Sequence, residues 1–206
     1  MAMQRFGAGL HLIVRNKVST EDSSGASPSG NQAQYLELIP GCLKGDRVAQ
    51  RKLYDKLSGK MFALCLRYMG DRQSAEDILQ EGFVTLFTKL DSYSGGGMFE
   101  GWARKIFVNT ALMSLRKNDA MKGSEDLDSA YNISADTTTQ LQSIGYKELL
   151  EMISTLPPGY RTVFNLSVIE GYSHKEIAKE LGITEATSRS QLQRARMMLQ
   201  NKLKKA

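Results

Sequence analysis

The chain has 206 residues, 41% of them hydrophobic and 24% charged, which is typical of one or two globular domains and excludes wholesale disorder. The mean hydropathy is −0.33, and no apolar run approaches the ~18 residues of a membrane-spanning helix. Two cysteines, Cys42 and Cys65, exclude a disulfide scaffold and a four-cysteine zinc module, so we expect a reducing, cytoplasmic location.

The net charge of +5 is mild, but its distribution along the chain is uneven. Residues 182–206 carry six basic residues and a single acidic one, Glu185, whereas residues 117–140 are rich in acidic side chains. A basic C-terminal segment that follows an acidic one indicates a polyanionic partner for the C-terminus.

Residues 1–34 are predicted to be a poorly ordered N-terminal tail. The stretch from Ser19 to Gln34 is rich in serine, glycine, asparagine and glutamine, which offer little to bury. The apolar patch Leu10–Val14 is too short for a signal peptide and lacks a cleavage site of small residues. A flexible arm or an overextended start is therefore favoured.

Residues 35–116 are predicted to form a first helical domain. Ser74 stands ahead of two acidic residues and is the expected N-cap of a helix that runs to Leu90. Gly95–Gly97 forbids continuous helix and predicts a loop before the next helix. Apolar residues recur at helical spacing, and one stripe has strict i+4 spacing: Leu53, Leu57, Met61, Cys65 and Met69.

Residues 117–140 are predicted to be a flexible acidic linker, and residues 141–206 a second helical domain. Pro157-Pro158 opens a helix that Gly171 ends. Ser173 then caps a short helix, Gly182 makes a turn, and Thr184 caps a longer basic helix. This succession is typical of a helix–turn–helix, and the whole chain is predicted to be all-α.

Three surfaces of these helices carry candidate functional residues. Helical spacing places Arg189, Ser190, Gln193 and Arg194 on one outward face, where an α-helix in the DNA major groove reads bases. A solvated basic face is the alternative.

The two other surfaces lie in the first domain. Asp77, Gln80 and Glu81 form an acidic patch, which is either a protein-docking surface or a solvated face. Lys105 and Asn109 lie near Trp102, which suits single-stranded nucleic acid but also fits core aromatics beside scattered charge.

Three segments resemble bacterial sigma factors of the extracytoplasmic-function (ECF) branch of the sigma-70 family. They are Asp71–Phe83, Phe99–Asn109 and the stretch from Leu156 to Arg196. The first resembles the helix that docks on the β′ clamp helices of RNA polymerase, the second the element that melts and reads the −10 promoter element, and the third the region that reads the −35 element. Their order across an acidic linker makes the resemblance specific.

The resemblance implies roles for individual residues. Asp77, Gln80 and Glu81 are expected to bind polymerase. The residues expected at the −10 element, including a loop for a flipped base, are Ser94, Gly95, Gly96, Gly97, Met98, Phe99, Trp102, Lys105 and Asn109. Those expected at the −35 element are Arg161, His174, Lys175, Thr187, Ser188, Arg189, Ser190, Gln193 and Arg194. Arg161, His174 and Lys175 are expected to hold backbone phosphates.

The expected function is therefore promoter recognition as an alternative sigma factor. The expected partners are core RNA polymerase, through its β′ clamp helices and β flap, promoter DNA, and an anti-sigma factor. No cofactor, metal, catalytic constellation or membrane insertion is expected. Two alternatives are a dimeric helix–turn–helix regulator, which would bind DNA tightly without polymerase, and a helical adaptor without DNA specificity.

Overall fold

The computed structural model describes residues 30–122 and 144–203 of the chain. Throughout these ranges the regular structure is helical, which confirms the predicted all-α fold. The elements are α1 Gly30–Leu43, α2 Arg47–Met69, α3 Arg72–Thr88, a 3₁₀ turn Leu90–Ser92, α4 Phe99–Lys122, α5 Ile144–Ser154, α6 Pro158–Phe164, a π turn Asn165–Ile169, α7 His174–Leu181 and α8 Glu185–Leu203.

Helix α2 is the centre of the N-terminal domain and packs against α1, α3 and α4. The predicted i+4 stripe lies on its core face, where Leu53, Leu57 and Cys65 are completely buried. Burial of each leucine side chain stabilises the fold by about 1.5–3 kcal/mol. From α4, Phe99 and Phe107 enter the same core without any exposed surface. This core fixes the relative placement of α3 and α4, the two helices with candidate binding surfaces.

The start of α3 differs from the prediction. Helix α3 begins at Arg72, and its N-cap is Asp71, whose carboxylate accepts a hydrogen bond from the Ser74 backbone N–H at 2.8 Å. The prediction that Ser74 is the N-cap is therefore wrong. Ser74 already lies in the first helical turn, because an aspartate three residues earlier satisfies its free N–H group.

Two predicted boundaries also shift. Helix α1 starts at Gly30, inside the predicted tail, and α4 continues through Lys122, inside the predicted linker. The remaining parts of both predicted segments, residues 1–29 and 123–140, lie outside the described residues.

The C-terminal domain contains the predicted helix–turn–helix, formed by α7 and α8. Ser173 caps α7 through a full capping box with Glu176, and Gly182 ends the helix with a φ of 68°. Thr184 accepts a hydrogen bond from the Thr187 N–H at 3.0 Å and so caps α8. The predicted helix after Pro157 is different, since it widens into a π turn at Asn165.

The two domains pack against each other. Val163 and Leu166 of the C-terminal domain join the buried cluster of α2, and Ile177 and Leu192 extend that cluster into the helix–turn–helix. A smaller cluster of Leu156, Ala195 and Leu199 holds α8 on its own domain. We call this arrangement, in which the two domains pack against each other through a shared buried cluster, the docked form.

Candidate nucleic-acid interface

The outward face of α8 is open to solvent. Arg189, Ser190, Gln193 and Arg194 are all exposed, as the helical spacing predicts. Arg189 forms an ion pair with Glu185 one turn earlier at 2.7 Å, and Arg194 donates to the Tyr160 hydroxyl at 3.1 Å. Both contacts lie at the surface, so these guanidinium groups can exchange them for DNA at little cost.

The neighbouring candidate, Ser188, does not belong to this face. Its side chain is completely buried, and its hydroxyl lies 2.8 Å from Nδ1 of His174. The prediction that Ser188 contacts DNA is therefore incompatible with its position, since one residue along a helix turns the side chain by about 100°. Thr187 is half-buried and bonds to Thr184, whereas Lys175 is exposed at the start of α7.

Arg161 occupies a position that excludes its expected contact with a DNA phosphate in this arrangement. Its side chain is buried, and its guanidinium donates to the carbonyl groups of Tyr68 and Met69 at 3.0 and 2.8 Å and to Ser154 at 2.8 Å. Burial lowers its pKa to about 10, so it stays a cation near neutral pH. A cation here stabilises the unpaired carbonyls and the negative dipole end of α2.

The close approach of Arg161 depends on a glycine. Gly70 ends α2 with a φ of 84°, and a Cβ atom at this position would lie 2.1 Å from Nη1 of Arg161. Only glycine provides both the backbone conformation and the space.

A cluster of three charged side chains, which we call the Glu170 cluster, joins the domains beside Arg161. Glu170 contacts Arg67 of α2 at 3.2 Å and Arg104 of α4 at 2.6 Å. The Glu170 and Arg67 side chains are only 6% and 8% exposed, whereas Arg104 is 37% exposed. Asn165 adds a hydrogen bond to the Arg67 carbonyl at 2.8 Å. The sequence does not predict this cluster, because no local pattern pairs residues so far apart.

The candidate −10 surface lies on α4 and on the loop before it. Lys105 is exposed and Asn109 is half-buried, so the Lys105 side chain is the more accessible of the two to a ligand. Phe99 is completely buried, and its ring centroid lies 5.1 Å from that of Tyr93 and 5.5 Å from that of Trp102. Phe99 therefore supports the surface from below, and the prediction that it contacts DNA does not fit its burial.

The predicted base-binding loop is exposed along its whole length, from Ser94 to Met98. Gly95 has a φ of 75°, which favours glycine. Gln32, a buried residue of α1, donates to the Gly97 carbonyl of the loop at 3.3 Å and to the hydroxyl of Tyr93, the residue before the loop, at 3.2 Å. Sequence analysis placed Gln32 in the tail, since it follows a long polar stretch without helical periodicity.

The acidic candidates Asp77, Gln80 and Glu81 are all exposed on α3. Val84, one turn after Gln80, is 67% exposed and gives the same face an apolar centre. An apolar residue bordered by charges is typical of a protein-docking surface.

Residues 30–122 and 144–203 contain no group of three or more His, Cys, Asp or Glu side chains that could hold a metal. None of their helices is long and apolar enough to cross a membrane.

Comparison with known proteins gives two matches to family models. Sigma-70 region 2 matches residues 53–121, and Sigma-70, region 4, matches residues 146–199. These ranges contain α3, α7 and all but the last residues of α4 and α8, the helices with the surfaces described above.

Individual proteins are similar as well. The ECF RNA polymerase sigma factor SigW of Bacillus subtilis is 31% identical over 172 residues, 78% of this chain and 92% of that protein. The ECF RNA polymerase sigma-E factor of Escherichia coli is 30% identical over 179 residues, 81% of this chain and 92% of that protein. A solved structure of the sigma factor RpoE of Bartonella quintana, in complex with the anti-sigma factor NepR, has a TM-score of 0.45 and 21% identity over 84% of this chain and 96% of that chain.

Proposed function

This chain belongs to the ECF branch of the sigma-70 family, and on that premise we propose that it is an alternative sigma factor that directs core RNA polymerase to specific promoters. The observation that carries the proposal is the exposure of three surfaces of different chemistry on one chain: the acidic face of α3, the aromatic and basic surface of α4, and the polar face of α8. The proposed roles are polymerase docking, −10 recognition and −35 recognition, respectively.

Polymerase docking is assigned to Asp77, Gln80 and Glu81, with the β′ clamp helices as the partner. The β flap is the proposed partner of the C-terminal domain. Sigma factors are promoter-specificity subunits, so polymerase performs the nucleotidyl transfer and this chain supplies no catalytic residue. A cytoplasmic location and an anti-sigma factor that blocks these surfaces complete the proposal.

DNA geometry requires the docked form to open. The −35 and −10 elements lie about 25 base pairs apart, which is about 85 Å along B-DNA at ~3.4 Å per base pair. A compact body of this chain length measures only roughly 45 Å across. Because the Glu170 cluster and Arg161 hold the domains together, both must release before α4 and α8 occupy the two elements.

The test of the proposed function is run-off transcription with purified core polymerase on genomic fragments from the same organism. Discrete transcripts that depend on this protein are expected, and their start sites give both promoter elements. Sequence-specific binding to naked DNA without new transcripts would contradict the proposal and indicate a conventional helix–turn–helix regulator.

The proposed polymerase-docking face of α3 can be tested by a charge reversal. Asp77→Arg reverses a charge on the acidic face and is expected to abolish binding to core polymerase in a pull-down. Its helix content should stay unchanged, because the side chain is exposed. The matched control is Glu37→Arg, a charge reversal at an exposed position of α1. Equal binding of both variants to core polymerase would show that α3 is not part of the interface with polymerase.

A further inference from the structure

Gln32 lies in the first turn of α1, and its side-chain amide bonds to the last glycine of the triglycine loop and to two residues that flank the loop. Its Oε1 accepts a hydrogen bond from the Phe99 N–H at 2.9 Å. Its Nε2 donates to the Gly97 carbonyl at 3.3 Å and to the Tyr93 hydroxyl at 3.2 Å. The residue is only 6% exposed, so these protein contacts replace water for the whole amide group.

Each of these bonds meets a specific need of the loop. The Phe99 N–H is the first of α4 and has no partner within its own helix, so Gln32 acts as an N-cap from another element. The Tyr93 hydroxyl also donates to the Gly97 carbonyl, which links the start of the loop to its end. Gly95, Gly96 and Gly97 offer no side chains of their own, and glycines lose more conformational entropy on ordering than other residues. External contacts must therefore fix the shape of the loop.

Tyr35, one turn after Gln32, extends the same support. Its ring centroid lies 5.4 Å from that of Phe99, and its hydroxyl donates to Glu100 at 3.3 Å. Burial and the nearby carboxylate raise the Tyr35 pKa to about 12, so the hydroxyl remains a donor at neutral pH. Hydrogen bonds and ring contacts thus join the beginning of α1 to the loop and its flanking residues, although α1 precedes residues 53–121, the range of the region 2 match.

We propose that Gln32 is a positioning residue that fixes the shape of the Ser94–Met98 loop and thereby sets base selectivity at the −10 element. This inference rests on the proposed function of the loop and deepens it. Gln32 is too buried to touch DNA, so it acts through the loop backbone. A flipped base is distinguished only if the groups around it hold fixed positions, because a loop that adapts to every base discriminates among none.

The experiment measures binding of fluorescent single-stranded −10 oligonucleotides to the reconstituted holoenzyme. The oligonucleotides carry each of the four bases at the position that wild-type protein discriminates most, within the element found by run-off mapping. Gln32→Ala is expected to reduce affinity for the preferred base about five- to tenfold while barely changing affinity for the other bases. Core polymerase affinity should remain within about twofold of wild type.

Two further variants separate loop positioning from general stability. Tyr93→Phe keeps the ring but removes the hydroxyl that joins Gln32 to Gly97, and it should flatten base discrimination in the same direction by a smaller factor. Gln34→Ala is the matched control, because this glutamine of α1 is exposed and bonds only to the exposed Lys56 in the described contacts. It should leave discrimination unchanged.

The outcomes are distinguishable. A uniform loss of affinity for all four bases in Gln32→Ala, with wild-type discrimination kept in Tyr93→Phe, would show that Gln32 only supports the fold and would overturn this inference alone. Wild-type holoenzyme that does not discriminate at any position would overturn the proposed role of the loop, and the inference with it.

Discussion

The two helices that are proposed to bind DNA, α4 and α8, differ in how extensively their side chains pack against the rest of the chain. Helix α8 presents its reading side chains to solvent, and its ion pair with Glu185 is local and exposed. Helix α4 contributes Phe99 and Phe107 to the main core, and its Arg104 joins the buried charges that hold the second domain. In the docked form, the candidate DNA-binding face of α8 is exposed, whereas the candidate face of α4 lies on the same helix as Arg104, which forms a charged contact between the domains.

This difference has a physical consequence for variation and control. A substitution on the outer face of α8 leaves the core untouched, so the proposed recognition of the −35 element can vary at little cost in stability. On α4, the reading surface, the aromatic support and the interdomain charges lie within a few turns. Changes there are therefore coupled to folding and to domain docking.

The largest effect is expected for a substitution in the Glu170 cluster, which joins α4 to the second domain. Glu170→Ala leaves Arg67 buried without its carboxylate partner, and removing one member of a buried ion pair costs about 3–5 kcal/mol. We expect this cost to fall on domain docking, since each domain retains its own helices. Small-angle X-ray scattering should show a larger radius of gyration than for wild type.

Circular dichroism of the same variant provides the control, because helix content should stay close to wild type. If Glu170→Ala kept the wild-type radius of gyration and the wild-type melting temperature, the Glu170 cluster would not contribute to docking. A loss of helix content would place its contribution in folding of the C-terminal domain instead.

A smaller effect is expected for a substitution on the exposed face of α8. Arg189→Ala should cost about 1–3 kcal/mol of discrimination at one −35 base pair, measured by holoenzyme binding to promoters substituted at each position. The free energy of unfolding should change by less than about 0.5 kcal/mol, because the side chain is exposed.

Arg196→Ala is the matched control, since Arg196 is another exposed arginine of α8 and is expected to attract phosphates. Its loss of affinity should be similar for every promoter. Equal losses on all promoters for Arg189→Ala as well would assign Arg189 to phosphate contact rather than base reading.

Local sequence patterns were sufficient for most of the fold. The i+4 stripe of α2, the capping serine of α7 and the turn at Gly182 each depend on residues within a few positions of one another, and the structure confirms them. The outward face of α8 follows from the same helical geometry. These features are predictable because helix periodicity and capping are local.

The contacts that sequence analysis missed join residues far apart in the chain. Gln32 meets Phe99, and Arg161 meets Tyr68, and neither pair has a local signature. For Arg161, the resemblance to sigma factors implies a contact with a backbone phosphate. The packing of α6 on α2 instead places the Arg161 side chain against the C-terminal carbonyl groups of α2.

The smallest expected effect is at the ion pair between Arg116 of α4 and Glu180 of α7, which also joins the two domains at 2.8 Å. Arg116 is 52% exposed, so water already competes for its charge. Glu180→Ala is therefore expected to weaken docking by no more than about 1 kcal/mol, and the radius of gyration should stay near the wild-type value. Glu170→Ala removes a carboxylate that Arg67 and Arg104 share and leaves the buried Arg67 behind, whereas Glu180→Ala removes the partner of the exposed Arg116. Equal expansion by both variants would show that docking does not depend on the burial of these charges.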